Sequence, residues 1–326
     1  MFGSPMGRWA LPAGILVAAL AGCAGSTPSG AYTPAVQTRI ASLPSSSAPA
    51  TLPRWLYVTQ TDPNGVKIFR NGTYKSIGTI FSGINGPAGD FLDKNGNLYV
   101  ANLTGANVTE YAPFAKTPSF TYSQNMQAPN SVATDTNGNV FEADRGVGST
   151  GGNVNEYSQK VNSMVVSCPP GLHSGGNTGA YGVAVDKNGD VFVSYGLPGS
   201  GGAHIDEYMG GLHPSCNEWT LPITYSSPGG IAVDAANDLV VCDPQSAVVY
   251  FIPPPYISVP RTIGTGFSRP TTVTLSRDNT RAFVTDVANA TVTVVDLATG
   301  TNLTVLGPAN GLSTPKGAVD APNAVY

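Results

Sequence analysis

Apolar residues in this chain come in short runs broken by polar turns, and one phrase of that pattern keeps returning. It reads GDFLDKNGNLYVAN from Gly89 to Asn102, SVATDTNGNVFEAD from Ser131 to Asp144, and GVAVDKNGDVFVSY from Gly182 to Tyr195. GIAVDAANDLVVCD (Gly230 to Asp243) is a fourth copy, TVTLSRDNTRAFVTD (Thr272 to Asp286) a looser one, and GAVDAPNAVY (Gly317 to Tyr326) a partial last one. The turn residue of each copy falls at Asp93, Asp135, Asp186, Asp234, Ser276 and Asp320, which gives successive differences of 42, 51, 48, 42 and 44. A period of roughly 40–50 residues built only from strands predicts a propeller, not a helical solenoid.

Within each unit a short apolar run such as GIAV predicts strand a. Asp-x-Asn-Gly predicts a tight turn whose Gly takes a positive φ, and LYVAN or its equivalent predicts strand b. After a variable loop, NVTEYAP, NVNEYSQ, HIDEYMG, VVYFIPP and TVTVVDL alternate as expected of strand c. Strand d is more weakly marked: SFTYS, SMVVSC, NEWTLPI, ISVPRTI and NLTVLG. Residues 54–85 supply b, c and d with no a before them, whereas KGAVDA near the end is an a with nothing after it. The expected solution is an all-β, six-bladed propeller of four-stranded antiparallel blades over residues 54–326, closed by the C-terminal strand joining the N-terminal three. WLYV (Trp55 to Val58) and NAVY (Asn323 to Tyr326) compete for the b slot of the closing blade.

The consensus small-Pro-x-Gly-x-Ala-x-Asp-x-x-Gly-Asn-Leu-Tyr-Val-Ala-Asp/Asn resembles the NHL repeat and its relatives among six-bladed propellers. The resemblance covers residues 54–326 and implies fold far more than function.

Composition agrees with an all-β reading. Charged residues are 11% of the 326, against roughly 25% in an ordinary soluble domain. Gly (39) and Pro (27) are abundant. The net charge of −4, with no basic stripe, argues against a nucleic-acid partner.

Residues 1–22 read as an export signal: Arg8 supplies positive charge, and ALPAGILVAAL is an apolar core too short to span a bilayer. Leu20-Ala21-Gly22-Cys23 resembles the lipobox of bacterial lipoproteins. That resemblance implies that Cys23 is acylated and becomes the mature N-terminus, giving a membrane anchor. Ala24 in place of Asp leans towards the outer membrane. Residues 23–53, rich in Ser, Pro and Ala, are expected to form a flexible tether. Thirty flexible residues have a typical reach of about 30 Å.

Candidate chemistry is sparse. Strand b ends at Gln60, Asn102, Asp144, Tyr195, Asp243 and Asp286, one polar residue per blade. These either converge at the channel mouth, where the carboxylates could hold Ca²⁺ or another divalent metal, or cap the following turns. Pro129-Asn130-Ser131 resembles the Pro-Asn-Gly ligand segment of gluconolactonase-type propellers, which marks Asn130; their other ligands have no counterparts here. Streptogramin-lyase-type propellers would want a His beside a metal, and this chain has His173, His204 and His213. No G-x-S-x-G, Walker or H-E-x-x-H motif occurs, and no catalytic residue is assigned. Glu110, Glu156 and Glu207 precede Tyr111, Tyr157 and Tyr208 in three strands c; the Tyr is expected between blades and the Glu towards solvent or a neighbouring Lys or Ser.

Cys168 and Cys216 lie near strand d of adjacent repeats, a placement that suggests a disulfide in an exported protein if the two positions come close enough. Cys242 is then a buried thiol. Gly-rich loops at residues 144–153, 169–179 and 195–204 suit a binding rim. Two functions follow from these features. One is a lipid-anchored, non-enzymatic binding module for an envelope protein or glycan; the other is a metal-dependent hydrolase or lyase of the lactonase type.

Overall fold

A computed structural model of the chain describes residues 55–147, 151–169, 179–196, 202–257 and 261–321. The chain divides into two units, residues 1–50 and 51–326, and the described residues belong to the second. Cys23, the tether and His173 lie outside them.

The described residues form six four-stranded antiparallel sheets. Blade 1 orders Pro315–Asp320 (strand a), Trp55–Thr61 (b), Asn64–Arg70 (c) and Lys75–Ile80 (d). The chain end thus pairs with its beginning, Val58 opposite Ala318. Trp55–Thr61 fills the b slot, while residues 323–326 lie outside the described set. Blades 2 to 6 are each continuous in sequence, and their strands a begin at Pro87, Pro129, Gly179, Ile231 and Pro270. Strand d is the shortest element in blades 4 and 5, only Trp219–Thr220 and Arg261–Thr262. An outermost strand has a ladder partner on one side only, which fits its weak spelling in the sequence.

Strands b are buried along their whole length in blades 2 to 5, because their two faces meet different neighbours. In blade 5, Leu239 and Val241 pack into the cluster shared with blade 4, and Val240 and Cys242 into the one shared with blade 6. Six such clusters occur, one between each consecutive pair of blades. The one joining Leu56 and Phe69 to Phe283 and Val294 shuts the ring. Burial of this kind stabilises by roughly 25 cal/mol per Å² of apolar surface, so the interfaces between blades hold the ring together.

The repeated Asp is a turn residue. One carboxylate oxygen of Asp93 accepts the N–H groups of Asn95 and Asn97, each at 2.8 Å; Asp135, Asp186 and Asp234 do the same in their blades. The left-handed position of this turn is Gly96, Gly138 or Gly189 in three blades, and Asn237 or Asn279 in two others.

Tyr111, Tyr157 and Tyr208 are buried between blades, as expected of the Glu-Tyr pairs. Glu110 meets the second of the two expected settings, a neighbouring Lys, while being fully buried: its carboxylate lies 3.7 Å from Lys160 Nζ and takes a 3.4 Å bond from the Tyr122 hydroxyl. Cys168 and Cys216 form a disulfide with Cα atoms 5.4 Å apart. Their positions are not equivalent: Cys168 ends strand d of blade 3, whereas Cys216 lies in the c–d excursion of blade 4. That excursion also brings Leu212 into the cluster between the two blades. Cys242 is a free, buried thiol whose pKa burial pushes well up.

Candidate functional site

Each blade carries the same irregularity at or just before the start of its strand a. Pro129 pairs with Asp144 and Ser131 with Ala143, so Asn130 is an extra residue in the ladder. Tyr181, Thr271 and Lys316 are extra residues in the same way, and Ala88 falls within the corresponding shift of blade 2. In blade 5 a single residue, Cys242, donates to Gly230 O and accepts from Gly229 N. These are β-bulges, which re-aim a side chain without ending the strand. The bulged residue differs in every blade: Lys316, Ala88, Asn130, Tyr181, Gly229 and Thr271 in ring order.

All six bulged residues line one cavity of about 430 Å³ at this end of the channel. The residues after the strand b ends join them: Thr61, Leu103, Arg145, Pro244 and Val287. Arg269, which precedes Pro270, completes a cluster of three cationic side chains with Arg145 and Lys316. Burial lowers the pKa of Lys316, and the charges of Arg269 and Arg145 lower it further. The Arg145 guanidinium also stacks over the Tyr181 ring at 4.9 Å.

Deeper among the strands a lies a narrower space of about 60 Å³ bordered by Asp90, Phe91, Val132 and Thr274. Asp90 is buried, neither of its carboxylate oxygens has a hydrogen-bond partner among the described residues, and burial pushes its pKa well up.

Of the residues singled out from sequence, Asn130 lines the cavity. Its Nδ2 donates a 2.6 Å bond to the Tyr181 carbonyl in the next blade. The strand b ends sit one residue away from the lining, since alternate residues of a strand face opposite ways. Their polar groups knit the loops. Asp243 accepts from the N–H groups of Ser226, Ser227 and Ser246, at 2.8, 3.1 and 3.1 Å. Asp144 does so for Ala128 and Gly146, and Asp286 for Ser268 and Ala288. Asn102 accepts from Asn85 N and donates to Asn107 Oδ1 and Thr109 Oγ1. Gln60 is buried at the corresponding place in blade 1, where the Thr314 hydroxyl takes the N–H groups of Thr61 and Asp62 instead. Tyr195 meets the Tyr208 hydroxyl at 3.1 Å. Among the described residues, no three His, Cys, Asp or Glu side chains come together in a way that could share a metal ion.

His204 is a further buried polar centre. Its Nδ1 lies 2.6 Å from Gly202 O, its Nε2 3.3 Å from Asp206, and its ring stacks on Tyr195. Burial would lower its pKa, but the Asp206 carboxylate and the Gly202 carbonyl outweigh it and raise the value. Asp206 is held in turn by the Thr220 hydroxyl at 2.6 Å. The arrangement lies within blade 4, away from the cavity lining.

The lining cations Arg145, Arg269 and Lys316 were not singled out from sequence. For Lys316 the available signal was the varying residue between Pro and Gly in an otherwise repeating phrase; Arg145 and Arg269 lie outside that position.

No family model and no curated protein matches the sequence. Solved structures match through the fold. A chain from a nidogen/laminin complex superposes with TM-score 0.67 at 16% identity, covering 83% of this chain and 99% of that one. A protein of unknown function from Bacteroides caccae gives 0.65 at 10% identity, covering 83% and 100%. Hydrazine synthase of Kuenenia stuttgartiensis gives 0.60 at 15% identity, covering 75% and 80%. At these identities the likeness establishes the six-bladed propeller.

Proposed function

We propose that this chain is a non-enzymatic binding module of a bacterial cell envelope, tethered through acylated Cys23, that takes its partner at the channel mouth. The observation behind this reading is the set of six bulges. The framework residues around them repeat from blade to blade, while the residue presented to the cavity changes each time, from Gly229 with no side chain to Tyr181 and Lys316. A rigid ring that holds five different side chains around one concavity suits recognition, and the cavity's volume falls in the range of ligand pockets, roughly 300–1,000 Å³. The likeness to a chain from a nidogen/laminin complex is in keeping with a partner-binding use of the fold.

The test has two arms. Radiolabelled palmitate should enter the wild-type chain in a bacterial host and not the Cys23→Ala variant; labelling of both would remove the anchor from the reading. A photo-crosslinking residue at position 88 or 271 should capture an envelope partner, whereas one at 219, on an outer strand, should not. Adducts from 219 alone, or from none of the three, would overturn a partner site at the mouth.

A further inference from the structure

The protein carries a net charge of −4, yet three cations border the 430 Å³ cavity. Three carboxylates at the same end, Asp144, Asp243 and Asp286, do not line it and spend oxygens on backbone N–H groups. The ion pairs among the described residues, Lys160–Glu110 and His204–Asp206, lie elsewhere. Arg145, Arg269 and Lys316 therefore face the cavity without a carboxylate partner among the described residues. They come from separate parts of the ring: a b–c loop, a d–a connection and the closing strand. Like charges brought together in a concavity repel one another, and the pKa of Lys316, lowered first by burial, is lowered further by Arg269 and Arg145. A cleft lined by one sign of charge also concentrates ions of the opposite sign.

We propose that the channel mouth binds a small organic anion, with a carboxylate or phosphate group held among Arg145, Arg269 and Lys316 and its body against Leu103, Pro244 and Val287. This deepens the binding-module reading and rests on it. The guanidinium forks of Arg145 and Arg269 match a planar carboxylate or a phosphate, and Lys316 adds a point charge. Asn130 and Thr271, from blades 3 and 6, line the same cavity and can bond polar atoms of the body. A divalent cation is disfavoured at this mouth by the same three charges.

The experiment is calorimetric titration of the full chain in detergent micelles with galacturonate, galactose 6-phosphate, inorganic phosphate and uncharged galactose. At least one charged probe should bind about tenfold or more tightly than galactose, and the stronger of the two charged sugars tells carboxylate from phosphate recognition. Affinity should fall as salt rises. Lys316→Met and Arg269→Gln should each weaken binding about fivefold or more, while Arg70→Gln, elsewhere on blade 1, leaves it unchanged. The inference is overturned if no charged probe outbinds galactose, or if the Arg269→Gln/Lys316→Met double variant binds as wild type does. Should that happen while crosslinks from position 88 or 271 persist, the anion alone is ruled out. Loss of both takes the module reading with it.

Discussion

The Asn130 side-chain amide donates to the Tyr181 carbonyl at 2.6 Å, so the bulge of blade 3 is bolted to the bulge of blade 4. Asn130→Ala removes one neutral hydrogen bond and is expected to cost about 1 kcal/mol. Asn130→Asp sets a carboxylate against that carbonyl and should cost more. Urea denaturation of the two variants at neutral pH checks the order.

Gly182 and Gly189 are needed for different reasons. A Cβ on Gly182 would lie 2.7 Å from Gly229 O and 2.9 Å from Ile231 N, both backbone atoms of the next blade. Gly182→Ala should therefore cost about 1–3 kcal/mol by overpacking. Gly189 has open space but a φ of +87°, and its counterparts Asn237 and Asn279 show that Asn serves the turn. Gly189→Asn should shift the denaturation midpoint only slightly, and less than Gly189→Val does.

Asp243 is fully buried and accepts three loop N–H groups. Asp243→Ala strands those donors and is expected to cost roughly 2–4 kcal/mol, at about 1–3 kcal/mol for each buried group left unsatisfied and allowing for partial rehydration. The loss should be the same with added calcium or with chelator. Recovery of the wild-type midpoint by calcium would instead show that the carboxylate is an ion ligand.

The Cys168–Cys216 disulfide closes a separation of 48 residues. On the chain-entropy account this amounts to about 4 kcal/mol, and the cluster packed across blades 3 and 4 should retain the fold without it. The double variant Cys168→Ala/Cys216→Ala should melt cooperatively at a lower temperature. The wild type under reducing agent should follow it.

Stability should rise on mild acidification. Burial raises the pKa of Glu207 to about 7 and of Asp238 to about 6, with Asp190 and Asp234 respectively adding repulsion. Asp90 and Glu142 are raised as well. A carboxyl raised in the folded state penalises folding as pH climbs from its unfolded value through the folded one. His204 acts in the same sense, because a raised His stabilises below its unfolded pKa and loses that contribution as pH rises through the folded one. Denaturation midpoints should accordingly be higher at pH 5.5 than at pH 8, and Glu207→Gln should flatten part of the slope. Asp296, whose pKa is lowered by its bonds to Thr299, opposes the trend only at more acidic pH.

Local pattern in this sequence determines the repeat, the number of blades and the way the ring closes. Apolar runs, Asp-x-x-Gly turns and an incomplete blade at each end leave one consistent assembly, because every blade must bury both faces and the orphan C-terminal strand finds its partner in the N-terminal three. The cationic mouth was decided by tertiary structure alone. Whether Asp144 or Arg145 faces the cavity turns on a one-residue alternation and on a bulge in the facing strand, which period alone does not fix. Arg145, Arg269 and Lys316 are scattered over more than 170 positions (316 − 145 = 171) and read singly as ordinary surface charges. Only closure of the ring brings them to one opening, since strands far apart in sequence share the same axis.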